Sequence, residues 1–197
     1  MALKGSRTTT TYLDWKDYQN ILQKLEQDKE YKFLMLFLCG TYMGIRISDI
    51  LNITWNQILH KDKFLLKEKK TGKYREITII SDVKTEIERL YKLMEIKDPN
   101  GLVFINKYGT KAIRVQWVNV KIKLLLKRYG ILCRNASSHL LRKTFGRKCY
   151  EANGCSDKSL HILQKLFNHS SLDTTIAYIG IREEQIEDLY KSLSESI

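Results

Sequence analysis

Phe64-Leu65-Leu66-Lys67-Glu68-Lys69-Lys70-Thr71-Gly72-Lys73-Tyr74-Arg75-Glu76-Ile77-Thr78-Ile79-Ile80 is the stretch where the apolar spacing of this sequence stops being helical. Two short extended runs, Phe64 to Lys69 and Tyr74 to Ile80, flank Lys70-Thr71-Gly72-Lys73, a glycine-containing turn of hairpin type. Upstream, Tyr31 to Met43 is a mostly apolar helix central to the core, and a short helix is expected around Ser48 to Asn52. Asp14 is a candidate N-cap for a helix that carries Trp15, Tyr18, Leu22 and Leu25 on one face. Downstream, Ser81 is the candidate cap of a helix with Ile87, Leu90, Tyr91 and Met94 inward. Pro99-Asn100-Gly101 reads as a turn, and Leu102 to Ile105 as a third strand. The rest reads as helix: Ala112 to Tyr129, His139 to Ala152, Lys158 to Phe167, a short piece from Asp173 to Tyr178, and a last helix from about Glu183. With Pro99 as the single proline, little interrupts these helices. The expected fold class is mainly α with a small antiparallel three-stranded β-sheet.

The chain has 197 residues, the size of one domain able to bury a core without disulfides or metals. Residues 1–12 are polar and aperiodic, as in a linker or tail, and 13–197 read as one unit. Lys and Arg number 34 against 22 Asp and Glu, a net charge of +12, which makes nucleic acid the first expected partner and an anionic membrane the second. The longest apolar run, Phe33 to Cys39, falls far short of the roughly 20 residues a membrane helix needs. No apolar stretch of a secretory signal is visible near Met1. Cys39, Cys133, Cys149 and Cys155 are irregularly spaced, which fits reduced thiols in a cytoplasmic protein. Cys149, Cys155 and His161 do not match a zinc spacing, so no metal site is expected there.

Several residues are candidates for chemistry. His139 and Arg142 share one helical face, with Ser137 or Ser138 as cap, near a helix N-terminus that favours a bound phosphate. The plain alternative is a solvent-facing polar pair. Arg46 follows an apolar helix at Gly44, where the chain turns. A buried arginine needs a partner, and Asp49, one turn on, is the candidate; a structural Arg–Asp pair is the alternative. Lys70 sits at the mouth of the hairpin, either solvated or able to protonate a leaving oxygen. His169 precedes Tyr178 in one short segment, and a phenol of pKa about 10 attacks well only beside cations or a base. As a set, two arginines, two histidines, a lysine and a tyrosine fit phosphoryl transfer through a covalent enzyme intermediate. Cationic side chains then stand where Mg²⁺ often does.

The order and context of these residues resemble the catalytic domain of the tyrosine recombinases, the phage integrase family. The resemblance rests on Thr41-Tyr42-Met43-Gly44-Ile45-Arg46-Ile47-Ser48-Asp49-Ile50-Leu51, Lys70-Thr71-Gly72-Lys73, His139-Leu140-Leu141-Arg142, and Leu166-Phe167-Asn168-His169-Ser170-Ser171 through Tyr178. It implies site-specific cleavage and rejoining of double-stranded DNA, for integration, excision or rearrangement of mobile elements, without ATP or a divalent metal. Carried over, Arg46 and Arg142 resemble the phosphate-clamping arginines, and His139 the proton-shuttling histidine. Lys70, preferred over Lys73, resembles the hairpin lysine that protonates the 5′-oxygen. His169 resembles the second histidine and Tyr178 the nucleophile of a 3′-phosphotyrosine. Asp49 matches a frequent acidic position, and Lys143 stands where many relatives have His, either of which can meet the DNA backbone. Relatives usually carry an N-terminal core-binding domain to which nothing here corresponds.

The resemblance also suggests that the stripe Ile186, Leu189, Tyr190, Leu193 and Ile197 docks on a neighbouring protomer, giving a tetramer on synapsed DNA from a free monomer. Packing on its own domain is the alternative. Residues that read bases are sought in the basic stretch Arg114 to Lys127. A type IB topoisomerase with the same chemistry, or an inactive DNA-binding module of the same fold, are the other functions these residues allow.

Overall fold

The computed structural model describes residues 11–181 together with 188, 190 and 191. At its centre runs α2 (Tyr31–Met43), buried at every position from Phe33 to Thr41, as a helix apolar all round must be. Around it pack α1 (Trp15–Gln27), α5 (Ser81–Leu93) and α7 (His139–Ala152). α1 buries Tyr18, Ile21 and Leu25, and α5 buries Val83, Ile87 and Leu90, each at three- and four-residue steps. Asp14 is the N-cap of α1 through its backbone carbonyl, which accepts from Tyr18 N–H (2.9 Å), and its carboxylate makes no capping bond. Ser81 does not cap α5. The chain enters straight from the hairpin, so extended Ile80 takes the cap position and the Ser81 hydroxyl lies 3.3 Å from Asp82 Oδ1.

After α2 the chain turns at Gly44, whose φ of +57° and near contact with the Phe145 ring leave no room for a side chain. Two one-turn helices follow where one was expected, α3 (Ile47–Ile50) and α4 (Trp55–Ile58). The second is fixed by a capping box in which Thr54 N–H donates to Gln57 Oε1 (2.9 Å). The hairpin is β1 (Lys63–Lys67) and β2 (Tyr74–Thr78), antiparallel, with Phe64 opposite Ile77 and Leu66 opposite Arg75.

The expected third strand is not part of this sheet, which has two strands. Leu102 makes a single bridge to Thr54 and Ile105 another to Ala112. Between them Val103 N–H donates to the Ile53 carbonyl and the Phe104 carbonyl accepts from Ile113. The segment thus directs its backbone pairing to two loops, not to the hairpin edge, while burying Val103 and Phe104.

The C-terminal half adds α6 (Val115–Arg128), α8 (Asp157–Phe167) and α9 (Leu172–Tyr178). Ser156 and Ser171 cap α8 and α9 through their hydroxyls. These two helices bury Leu160, Leu163, Phe167, Ile179 and Ile181 in a second, smaller core against α7. Gly146 of α7 makes that contact possible: a Cβ there would lie 2.7 Å from Ile179 and 2.9 Å from the Phe167 ring. The chain is packed on the body from Thr11, whose N–H lies 3.4 Å from the Arg134 carbonyl, and Arg147 stacks 5.0 Å over the Tyr12 ring. Of the expected C-terminal stripe, Tyr190 is described and is exposed; Ile186, Leu189, Leu193 and Ile197 lie outside the described residues.

Candidate active site

A helix leaves its last four carbonyls without intrahelical partners, and the way α8 satisfies its own builds the site. Asn168, in the left-handed conformation, turns the chain so that its N–H reaches Lys165 O (3.1 Å) and that of His169 reaches Gln164 O (3.0 Å). The remaining two carbonyls accept from arginines. Arg75 Nη1 donates to Leu166 O (2.5 Å), while Arg142 Nη2 (3.0 Å) and Arg46 Nη2 (3.3 Å) both donate to Phe167 O. The negative end of the helix dipole favours this gathering of cations. The site therefore lies on the seam between the large core, which supplies Arg46, and the small one, which supplies Phe167.

Each arginine arrives by its element's geometry. Arg46 caps α3 just past the Gly44 turn. Arg142 lies on the buried face of α7, one turn from its start, 5% exposed, its guanidinium 4.6 Å over the Phe167 ring. Arg75 sits in β2 in phase with inward-facing Ile77. Burial chiefly holds the Arg142 pKa down, to about 10, with the charges of Arg46 and Arg75 acting in the same direction and Tyr178 opposing. Burial likewise lowers Arg75. Buried Arg142 Nε and Arg46 Nη1 have no hydrogen-bond partner among the described residues.

The carboxylate facing Arg46 is Glu68, not Asp49. Glu68 Oε2 lies 3.1 Å from Arg46 Nη1 and accepts from the Thr71 hydroxyl (2.8 Å). Burial pushes the Glu68 carboxyl up, but the Thr71 bond and the charges of Arg46 and Arg75 outweigh it and the net shift is down. Asp49 instead accepts from the backbone N–H of Lys69 (3.0 Å), because its helix points it at the end of β1 rather than back toward Arg46. It pins the hairpin to α3.

Tyr178 ends α9 with its ring against Phe167 (centroids 5.4 Å) and His169 (5.1 Å), and its hydroxyl 3.4 Å from His139 Nδ1. Burial pushes the phenol up to about 12, against the pull of Arg142 and Arg46, so it rests protonated and needs a base. His139, the first residue of α7, is kept below its ordinary value by desolvation, then by Arg142, Lys143 and Arg46, which leaves it neutral and able to accept that proton. His169 bonds Thr175 Oγ1 (3.0 Å) and is lowered to about 4, by burial first and then by Arg142 and Arg46.

Five of the six expected residues, Arg46, His139, Arg142, His169 and Tyr178, are thus brought together. Lys70 stands on the exposed hairpin turn and makes no hydrogen bond or ion pair among the described residues. Lys143 is buried, with Nζ 5.1 Å over the Tyr178 ring. Glu68 and Arg75 join the site from the hairpin, outside the motifs that mark the other residues.

A histidine whose folded pKa lies below its unfolded one destabilises the fold as acid protonates it, here between pH 6.5 and about 4. The melting temperature of the free protein is expected to fall across that window, and less so in His169→Asn; an equal fall in both would show that His169 does not carry the effect.

The phage integrase family profile matches residues 11–185. The "Probable integrase/recombinase YoeC" of Bacillus subtilis (strain 168) is 32% identical over 180 residues, covering 86% of this chain and 92% of that protein. "Tyrosine recombinase XerH" of Campylobacter jejuni is 28% identical over 160 residues, 79% of this chain but 44% of its own length. The chain therefore spans nearly all of the first relative and about half of the second. Among solved structures, XerA recombinase superposes with a TM-score of 0.71 at 18% identity, over 92% of this chain and 64% of that one. XerH bound to palindromic difH substrate, a post-cleavage complex, gives 0.67 at 20% identity, over 91% and 52%. The fold is theirs, and with its family profile spanning the whole arginine–histidine–tyrosine cluster, the chain belongs to the phage integrase family of tyrosine recombinases.

Proposed function

We propose that this chain is a site-specific recombinase that cuts and rejoins double-stranded DNA through a 3′-phosphotyrosine. What supports this most is the crowding of Arg46, Arg75 and Arg142 near one phenol, three guanidiniums against the two carboxylates of Glu68 and Asp49. That excess of buried positive charge is relieved by an anion, and a phosphodiester brings oxygens for the arginine donors.

In this reading the steps are as follows, with Lys70 given its part by the family resemblance. Arg46 and Arg142 bind the non-bridging oxygens and neutralise charge that grows there in the transition state. Tyr178 Oη gives its proton to His139 and attacks phosphorus; the P–O bond to the 5′-carbon's oxygen breaks, and that oxygen takes a proton from Lys70. His169, held by Thr175, packs on the Tyr178 ring and orients it. The new P–O bond conserves the energy of the old one, so a second 5′-hydroxyl reverses the steps and joins the strands. Residues 13–197 form the catalytic unit, act in the cytoplasm on chromosomal or element DNA, and are monomeric when free and tetrameric on paired sites. Exposed Tyr190 is consistent with a C-terminal segment available to a neighbour.

Incubation with a nicked duplex recombination site, whose cleaved end diffuses away, is expected to trap a covalent adduct on that site and not on unrelated duplexes. Adducts of equal yield on any DNA would point to a topoisomerase, and binding without an adduct to an inactive module.

A further inference from the structure

The turn that carries Lys70 is held by one residue twice over. Gly72 N–H donates to the Glu68 carbonyl (2.8 Å) and the Thr71 hydroxyl to Glu68 Oε2 (2.8 Å), while Glu68 N–H closes onto Lys73 O (2.9 Å). That same Oε2 is the atom 3.1 Å from Arg46 Nη1. Glu68 is 6% exposed, whereas Lys70 and Gly72 are exposed, and a Cβ built on Gly72 meets nothing within 4 Å. Lys69 N–H also donates to Asp49 Oδ1 (3.0 Å) and Lys73 N–H to Thr71 Oγ1 (3.3 Å). Among the described residues, the Thr71 hydroxyl is the group of the turn that bonds a carboxylate oxygen shared with the phosphate clamp.

We propose that Glu68 and Thr71 are positioning residues, a relay that sets Lys70 against whatever phosphate Arg46 holds. The inference rests on the assignment of Lys70 as proton donor. An unrestrained turn spreads a long lysine over many positions, and proton transfer in the transition state needs one of them. Tying the turn to Arg46 through a single oxygen means that the donor is registered to the clamp itself. The hydroxyl of Thr71 is the link that can be cut without touching either charged group, since Glu68 and Arg46 keep their ion pair.

The test compares two leaving groups in single-turnover cleavage of the nicked site: the ordinary 5′-oxygen, and a duplex with sulfur in that bridging position. A thiolate departs without being protonated, so a defect in delivering the proton vanishes on the sulfur substrate. Thr71→Val removes the bond to the Glu68 carboxylate and the longer one from Lys73 N–H (3.3 Å). It is expected to slow cleavage of the oxygen substrate roughly tenfold, chiefly through the first, and to cleave the sulfur substrate at the normal rate. Thr71→Ser, which keeps the hydroxyl, is expected to cleave both normally. Lys70→Ala is the reference and should show the same pattern with a larger oxygen defect. If Lys70→Ala shows sulfur rescue while Thr71→Val slows both substrates alike, or neither, the relay is wrong and the role of Lys70 stands. If Lys70→Ala slows both alike, Lys70 is not the donor and the relay falls with it.

Discussion

Replacing Tyr178 with Phe leaves a folded protein that binds DNA as before and forms no covalent adduct. The ring keeps its contacts with Phe167 and His169, and among the described residues the hydroxyl makes one long hydrogen bond, 3.4 Å to His139 Nδ1. Stability should therefore change little. The reaction loses its nucleophile, and cleavage of the nicked site should fall by at least about 10⁴-fold, to the limit of detection. Affinity for the same duplex, carried by cations that the substitution leaves in place, should stay within about twofold. An adduct that persists in Tyr178→Phe would mean that another side chain attacks phosphorus.

Arg142→Ala is expected to come next in severity. Arg142 brings charge, a fork of donors and an otherwise unpartnered buried Nε to the anion site. Removal of one donor to developing charge costs about 10²–10³ in rate, so loss of the whole group should cost at least about a thousandfold. Phe167 O keeps Arg46 as donor, so the end of α8 remains bonded and the variant should fold, as a melting curve would confirm. Arg142→Lys retains the charge but not the fork, and should recover only part of the rate. Near-normal cleavage by Arg142→Ala would remove that residue from the clamp.

Much of the scaffold was legible because its signals are local. The 3.6-residue spacing in α1 and α5, the unbroken apolar run of α2 and the Lys70–Lys73 turn each declare themselves within a dozen residues. Four apolar residues, Leu102 to Ile105, suit a strand or a buried loop equally, and which of these forms depends on two separate bridges, one to distant Thr54 and one to nearby Ala112. The site shows the same division. Arg46, Arg142, His139, His169 and Tyr178 stand out as unusual residues in short motifs.

Asp49 lies close to Arg46 along the chain, but its helix directs it to Lys69 N–H, and Glu68 faces Arg46 instead, so proximity in sequence does not fix the partner. Glu68 and Arg75 did leave a trace. Counting by twos along β1, Phe64 and Leu66 face inward and Glu68 follows in phase; along β2, Arg75 shares the face of Ile77. A carboxylate and a guanidinium in core-facing register each demand a buried partner, and that demand was the available signal.

The end of α8 engages only part of each guanidinium: Arg142 and Arg46 each give one Nη2 hydrogen bond to Phe167 O, while Arg142 Nε and Arg46 Nη1 keep no hydrogen-bond partner among the described residues. The peptide carbonyl thus holds the two forks in place without using them up, and an arriving oxyanion finds donors already oriented rather than ones it must first order.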